Sequence, residues 1–386
     1  MAGSPPISPA TASTFYYVVD WLPPDFGAIG QYALIAAREM AKGGRKVHLI
    51  GLTSGAAASE REQFPSGGEL TTTRIAGSTY QKDNYARRLV WAAKTNARLI
   101  FTVLRDPQSR GGDLLFTGSP PFMLFFAVMA KALRRMRLTY RITDFYPEVV
   151  IAELGRRSPP LAMLESLAWA LRRQVDVIEA LGEDQRRLLR AGGIPPQRIA
   201  VKRYGPPIPI NGQETPLARP AILSGRATLL YSGNFGVAHE VDTVVEGLIR
   251  HHRAGGRFGL WLNASGVNVE RVSKRLRAAG VPLACSEPVA LAQLPALLAA
   301  ADLHLISLRS RFAGIVLPSK VYACIASRRP ILFVGPESSD VHQLCMEAVP
   351  ASYARVEPND IDGFTAALQR FAPPAMKAQR RDRPTT

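Results

Sequence analysis

Between Tyr204 and Arg226 five prolines, Pro206, Pro207, Pro209, Pro216 and Pro220, break a chain that otherwise alternates apolar strands with amphipathic helices. Proline fixes φ and removes a donor, so no regular element crosses this stretch. Before it, short apolar runs predict strands at 15–21, 46–53, 71–75, 99–104, 114–117, 138–142 and 175–180, with helices over 28–42, 84–94, 121–135, 160–173 and 183–191. After it the alternation restarts, with strands at 227–232, 258–262, 281–285, 304–308 and 331–334 and helices over 240–252, 267–279, 291–301, 341–346 and 361–371. Strands that alternate with helices pair in parallel through crossovers. The expected fold class is therefore α/β, with two Rossmann-like doubly wound domains facing across a cleft. Ligands of such sheets bind at the carboxyl ends of the strands.

A chain of 386 residues exceeds one ordinary core. The expected division is a flexible N-terminal arm over 1–14, a first domain over 15–204, a linker over 205–226, a second domain over 227–375 and a basic tail over 376–386. Hydrophobic residues make up 47% of the chain, ample for two cores, and 20% charged residues argue against global disorder. Lys and Arg number 48 against 31 for Asp and Glu, so a polyanion or an anionic membrane surface is the expected company. Cys285, Cys324 and Cys345 stand singly without metal spacing, which predicts reduced core thiols and a cytoplasmic setting. The arm lacks a basic start followed by an apolar run, so no secretory signal is expected.

The most hydrophobic stretch, Leu114 to Leu133, is cut by Gly118-Ser119-Pro120-Pro121, and its uninterrupted part falls short of the roughly 20 residues that span a bilayer. Arg134, Arg135 and Arg137 flank it. Two readings stay open: an amphiphilic surface lying on anionic lipid, or a buried helix with a basic last turn.

The stretch R-S-R-F-A-G-I-V-L-P-S-K-V-Y-A-C-I-A-S-R-R-P, Arg309 to Pro330, follows an apolar strand, turns through Gly314 and enters a helix at Pro318-Ser319-Lys320. Free amides, a hydroxyl and an ammonium at such a corner make an anion site, and an ordinary strand-turn-helix joint is the alternative. Each half also opens on a strand running into a glycine turn, F-Y-Y-V-V-D-W-L-P-P-D-F-G-A-I-G and L-L-Y-S-G-N-F-G-V-A-H-E. Gly233 and Gly236 let a backbone approach a phosphate. His239 near the next helix start either contacts phosphate or sugar or packs on its own loop.

Neither loop completes a dinucleotide fingerprint, because His239 stands near the place of the third glycine and the second strands, ending in W-L-N and L-I-G-L-T, lack the ribose-binding acid. There is no Walker loop and no metal constellation. Asp360-Ile361-Asp362 is more simply a helix cap.

Taken together, the linker, Y-S-G-N-F-G-V-A-H-E, D-L-H-L-I-S-L and P-S-K-V-Y-A-C-I-A-S-R-R-P resemble the GT-B glycosyltransferases of family 4. They resemble most the bacterial subgroup that builds surface polysaccharides, typified by fucosamine transferases. W-L-P-P-D-F-G-A-I-G looks like the acceptor-side glycine loop, with Gly27 and Gly30, and I-T-D-F-Y-P-E like that subgroup's Asp-aromatic-Pro-Glu segment, with Asp144 and Glu148. The resemblance implies a nucleotide-diphosphate sugar held by the second domain, an acceptor held by the first, and metal-independent transfer with retention. Donor-binding residues would be Gly233, Asn234, Gly236, His239, Gly314, Val316, Pro318, Ser319 and Lys320.

Many relatives carry a Glu that grips the ribose seven residues before the proline matching Pro330; here that position is Ala323. Asn263-Ala264-Ser265-Gly266 likewise replaces a Gly-acid-Gly turn.

In metal-free transfer the departing diphosphate gains charge, and fixed cations aimed at it lower the barrier. Lys320 is the expected main cation, with Ser319, the amides from Gly314 to Val316, and Arg309 or Arg311; a solvated lysine is the alternative. Asp144 and Glu148 are expected to orient or deprotonate the acceptor hydroxyl, unless Asp144 only caps a helix.

The expected partners are a nucleotide sugar, a lipid-linked or glycan acceptor and an anionic membrane surface on the inner face of the cytoplasmic membrane, with no cofactor and no nucleic acid. Two other readings remain: epimerisation of a nucleotide sugar, which needs no acceptor, and a basic nucleic-acid-binding protein, which would interleave aromatic and basic residues on a face.

Overall fold

The computed structural model describes residues 14–25, 28–77 and 85–373, so most of the arm and all of the basic tail lie outside the described residues. The chain divides into two compact units, Met1–Arg203 and Tyr204–Thr386. In the first unit the elements are β1 (Phe15–Trp21), α1 (Ala28–Lys42), β2 (Lys46–Thr53), β3 (Ala58–Gln63), β4 (Glu69–Ala76), α2 (Tyr85–Arg105), β5 (Asp113–Thr117), α3 (Met123–Arg134), β6 (Arg137–Ile142), α4 (Glu148–Leu154), α5 (Pro159–Arg172), β7 (Val177–Ala180), α6 (Glu183–Ala191) and β8 (Ile199–Val201).

The strands form one sheet in the order β3-β4-β2-β1-β5-β6-β7-β8. All its described pairings are parallel except β3 with β4. Chain order reverses at β1, with β2 and β4 on one side and β5 to β8 on the other. Strand β1 reads F-Y-Y-V-V because it is covered on both faces, and Tyr16, Tyr17, Val18 and Val19 are wholly buried.

Residues 99–104, expected as a strand, instead complete the 21-residue helix α2. Ala92, Thr95, Asn96, Leu99, Ile100 and Val103 are buried at helical spacing while Phe101 is half-exposed, which is the signature of one buried face. A short apolar run alone does not distinguish the two. Strand β3, A-S-E-R-E-Q, is almost wholly exposed and carries no apolar alternation, so nothing in its composition marks it.

The second unit contains β9 (Ala227–Asn234), α7 (Asp242–Arg253), β10 (Phe258–Ser265), α8 (Asn268–Ala278), β11 (Leu283–Ser286), α9 (Leu294–Ala299), β12 (Leu303–Ser307), α10 (Lys320–Ala326), β13 (Ile331–Val334), α11 (Asp340–Ala348), β14 (Tyr353–Val356) and α12 (Ile361–Arg370). Its parallel sheet runs β11-β10-β9-β12-β13-β14. The order again reverses at the first strand, between β9 and β12.

The proline-rich stretch is docked on this unit. Leu217 donates its amide to the Ala296 carbonyl at 2.8 Å, and Ile210, Leu217 and Leu223 pack with Leu230, Trp261 and Leu297. Asp360 caps α12 by accepting from the Gly363 amide at 2.8 Å. Cys324 and Cys345 are buried as expected, whereas Cys285, at the end of β11, is exposed.

Candidate functional site

In the second unit three of the expected donor residues, Gly233, His239 and Lys320, gather around Tyr231 at the end of β9. Strand β9 ends in Tyr231-Ser232-Gly233-Asn234 and β12 in Ile306-Ser307. Gly233 has φ +105°, and a Cβ there would lie 4.0 Å from Lys320 Cε, so the bare backbone faces the lysine stem.

The stem of Lys320 reaches solvent, but Nζ is buried and without a hydrogen-bond partner among the described residues. Nζ sits 3.2 Å from the centre of the Tyr231 ring, a cation–π contact that only partly replaces lost hydration. Burial pulls the lysine pKa from its ordinary value down to about 7.

Tyr231 is fixed in turn, stacked on Phe235 at 4.1 Å and donating its hydroxyl to the Asn234 carbonyl at 2.9 Å. His239 packs edge-on against both rings, and its Nδ1 lies 2.7 Å from the Ser307 carbonyl oxygen, which makes Nδ1 the protonated nitrogen. Burial first, then the Lys320 charge, pushes the imidazole down to about 3. A neutral ring brings no charge to the loop, and Arg309 nearby in the chain is partly exposed. Arg309 is anchored by its amide, which donates to the Ala238 carbonyl at 2.8 Å.

The corner after β12 differs from the expected amide cradle. Gly314 adopts φ +74°, but the Ile315 and Val316 amides both donate to the Phe312 carbonyl, at 3.0 and 3.1 Å. Pro318 is buried, Ser319 makes no side-chain cap, and α10 has only seven residues, so the helix start itself offers little. Asn234 is exposed, and its amide packs 3.2 Å from where a Gly236 Cβ would stand. Arg311 is exposed beside Phe312.

Ala323 is 5% exposed and packs in the core with Leu230, Trp261 and Leu297. A Glu at that position would be buried among apolar side chains. Ser307, whose carbonyl accepts from His239, also has a buried Oγ without a hydrogen-bond partner among the described residues. Its strand reads simply as core.

The first unit has its own cluster at the corresponding reversal. Asp20 ends the core of β1, Ser119 follows β5, and Thr143 and Asp144 follow β6. Ser119 Oγ donates to Asp20 Oδ2 at 2.6 Å. Burial pushes the Asp20 carboxyl up to about 6, against the Ser119 and Trp21 hydrogen bonds. Burial, and then the charge of Asp20, raise Asp144 to about 6. Both carboxyls thus lie above the ordinary range for the same main cause, burial; Asp20 sits inside an apolar strand pattern that does not mark it in the sequence.

Glu148 is committed elsewhere. It pairs with Arg172 through bonds of 2.5 and 2.9 Å, both side chains being buried, so it holds α4 to α5 instead of facing an acceptor. A Cβ on Gly30 would meet the Trp21 carbonyl oxygen at 1.8 Å, so this glycine lets α1 lie against the end of β1. Gly27 lies outside the described residues. Among the described residues no three His, Cys, Asp or Glu side chains converge as a metal site, and no helix is long and apolar enough to cross a membrane.

No family model matches the chain. A relative from Pseudomonas aeruginosa, named probable glycosyltransferase WbjE, is 23% identical over 261 residues, a match that spans 64% of this chain and 64% of the relative.

Among solved structures, the N-terminal domain of trehalose-6-phosphate phosphatase from Candida albicans superposes with a TM-score of 0.65 at 12% identity, covering 98% of this chain and 93% of that one. Sucrose-phosphate synthase from Thermosynechococcus elongatus gives 0.64 at 12% identity over 92% and 89% of the two chains. Anabaena Alr3699/HepE, solved with UDP and glucose, gives 0.62 at 12% over 95% and 91%. At such identities the likeness is one of fold: two Rossmann-like α/β domains, as in the GT-B structures.

Proposed function

We propose that this protein is a glycosyltransferase that moves a sugar from a nucleotide-diphosphate donor to a lipid-linked or cell-surface polysaccharide acceptor, with retention and without a metal ion. The finer assignment is to family 4, in the surface-polysaccharide subgroup typified by fucosamine transferases. The likeness to WbjE, a probable glycosyltransferase by name, supports the reaction class, and HepE, solved with UDP and glucose on the same fold, supports the donor class. The observation that carries the reading is the buried ammonium of Lys320, held only over the Tyr231 ring and without a hydrogen-bond partner among the described residues, near the reversal between β9 and β12. An unpaired buried charge is expensive and makes sense where an anion arrives.

In the reaction the acceptor oxygen bonds the anomeric carbon on the face from which the diphosphate departs, so that the configuration is retained. The bond from that carbon to the diphosphate oxygen breaks, its electron pair leaves with the nucleoside diphosphate, and the acceptor's proton passes to Asp144. Negative charge grows on the diphosphate, so Lys320, helped by Arg309 and the bare backbone at Gly233, stabilises the transition state more than the ground state. The donor is a co-substrate, and no further cofactor enters.

The lipid-linked acceptor fits a protein resting on the inner face of the cytoplasmic membrane. Helices α2, α3 and α5 leave Val90, Phe101, Met129, Leu133 and Met163 exposed, with the exposed cations Arg135 and Arg137 close by in sequence.

The test is release of nucleoside diphosphate from labelled nucleotide sugars in the presence of a chelator and a lipid-linked acceptor, followed by the anomeric configuration of the product. Acceptor-dependent release that survives chelation, lost in Lys320→Ala, is expected. Release that requires added metal, or full activity of Lys320→Ala, overturns the mechanism.

A further inference from the structure

We propose that Asp20, Asn96 and Thr143 bind hydroxyl groups of a sugar at the acceptor's end, so that the acceptor is the product of an earlier glycosyl transfer and this protein extends a glycan instead of starting one on a lipid phosphate. The place of that sugar in the reaction rests on the transferase reading; the sugar site itself rests on geometry.

The three side chains surround one loop, Gly118-Ser119-Pro120-Pro121, which runs from the end of β5 toward α3. Ser119 Oγ donates to Asp20 Oδ2 at 2.6 Å. A Cβ at Gly118 would lie 3.0 Å from Thr143 Oγ1, so the bare backbone of this glycine faces the threonine hydroxyl. Asn96 Nδ2 donates to the Pro121 carbonyl at 2.8 Å. Thr117 Oγ1 braces the loop from within, donating to the Ser119 carbonyl at 2.7 Å.

Strand register and helix length bring these groups to one level. Asp20 and Gly118 follow the paired residues Val18 and Phe116, and Thr143 follows Arg141, the partner of Thr117 on β5. The Tyr16 hydroxyl donates to Asp106, just past the end of α2, and so pins the other end of β1 to that helix. From Tyr16 to Asp20 the strand advances about 13 Å. From Asp106 back to Asn96 the chain retraces about 15 Å.

Each of the three side chains has a buried atom without a hydrogen-bond partner among the described residues: Asp20 Oδ1, Asn96 Oδ1 and Thr143 Oγ1. Asn96 is wholly buried and Thr143 nearly so, while Asp20 is partly exposed. Two of the open atoms are acceptors, since Asn96 spends its Nδ2 on Pro121, and the third is a hydroxyl that donates or accepts. Buried polar groups in native folds are nearly all bonded, so three open atoms around one loop mark a place that a ligand completes.

What completes it must give hydrogens. An ionised phosphate or carboxylate has none to give and would meet the Asp20 carboxylate, and a hydrocarbon offers neither donor nor acceptor. A sugar presents neighbouring hydroxyls that both donate and accept, which matches two acceptors and a hydroxyl. Thr143 is followed by Asp144, which receives the acceptor's proton in the proposed reaction, so a sugar held here brings its own hydroxyl to that carboxylate.

The experiment is saturation-transfer NMR of the full-length protein with a panel of methyl hexopyranosides and their N-acetylamino analogues, without donor, in wild type, Thr143→Val and Asp20→Asn, alongside thermal melts. Wild type is expected to bind at least one glycoside, with the apparent Kd rising about tenfold in each variant, the scale of one lost hydrogen bond. Thr143→Val should melt at or above the wild-type temperature, because a methyl of the same shape replaces a hydroxyl without a protein partner. With the donor that supports transfer, KM for a sugar-terminated polyprenyl lipid should rise in Thr143→Val while KM for the donor stays unchanged, and bare polyprenyl phosphate should not be glycosylated.

No glycoside bound by wild type, or equal binding by all three proteins, overturns the proposal. So does a Thr143→Val protein that melts well below wild type, since its hydroxyl would then be bonded within the fold, or transfer to bare polyprenyl phosphate as fast as to the sugar-terminated lipid. Glycoside binding that depends on Thr143, without turnover of any nucleotide sugar, would uphold the sugar site and count against the transferase reading.

Discussion

Lys320 holds its ammonium over the Tyr231 ring at a cost to the empty protein, and that cost has a direction with pH. Its folded value is about 7 against an ordinary 10.5, so between these values the unfolded chain carries a proton that the folded one lacks. Stability from this group is therefore fully present above the unfolded value and is lost as pH falls through about 7. Lys320→Met should be more stable than wild type at pH 6 by on the order of 1 kcal/mol, with the gain shrinking at alkaline pH, as read by thermal melts across pH. The same variant should lose transfer, and Lys320→Ala should lower kcat by about 10²–10³-fold, the scale of removing one preorganised electrostatic contact.

The lysine was legible in the sequence because a strand, a glycine turn and P-S-K follow one another. Tyr231, Ser307 and Asp20 were not, since each belongs to a strand whose apolar pattern is fully explained by the core. Position 323 also has its physical reason: with Leu230, Trp261 and Leu297 around it, the alanine is a packing residue.

Elements explain which acidic residue is structural and which is available. Glu148 opens α4 and pairs with Arg172 near the end of α5, both buried, so the pair ties two helices together. Glu148→Ala should destabilise the protein by about 3–5 kcal/mol by leaving Arg172 unpaired, while donor binding to the surviving folded protein stays unchanged in calorimetry. Gly30→Ala should cost about 1–3 kcal/mol or more in chemical denaturation, because α1 cannot approach β1 through a methyl group 1.8 Å from the Trp21 carbonyl oxygen.

Most long strands and helices could be read from period and turn residues, and the alternation alone implied parallel sheets. What escaped were elements whose pattern is ambiguous or absent. The second half of α2 shows an apolar run too short to reveal its period, β3 is polar throughout, and β8 and β14, of three and four residues, are strands only because a neighbouring strand pairs with them.

At the scale of the whole molecule, each unit reverses chain order at its first strand; Ser119 bonds Asp20 beside that strand in one, and Lys320 lies over Tyr231 at its end in the other.

The net charge of +17 and the exposed apolar side chains of α2, α3 and α5 lead to a further expectation. The protein should float with vesicles rich in anionic lipid, release as salt rises, and bind less well in Phe101→Glu or Leu133→Glu with unchanged melting temperature.

The central claim is that Lys320 grips the diphosphate of a sugar nucleotide, and the most direct measurement is calorimetric binding of nucleoside diphosphates to wild type and Lys320→Ala, with chelator present. Wild type should bind at least one of them, with affinity falling as pH rises above about 7 and the ammonium loses its proton. Lys320→Ala should lose that binding. Equal affinity of the two proteins for the same diphosphate would contradict the account.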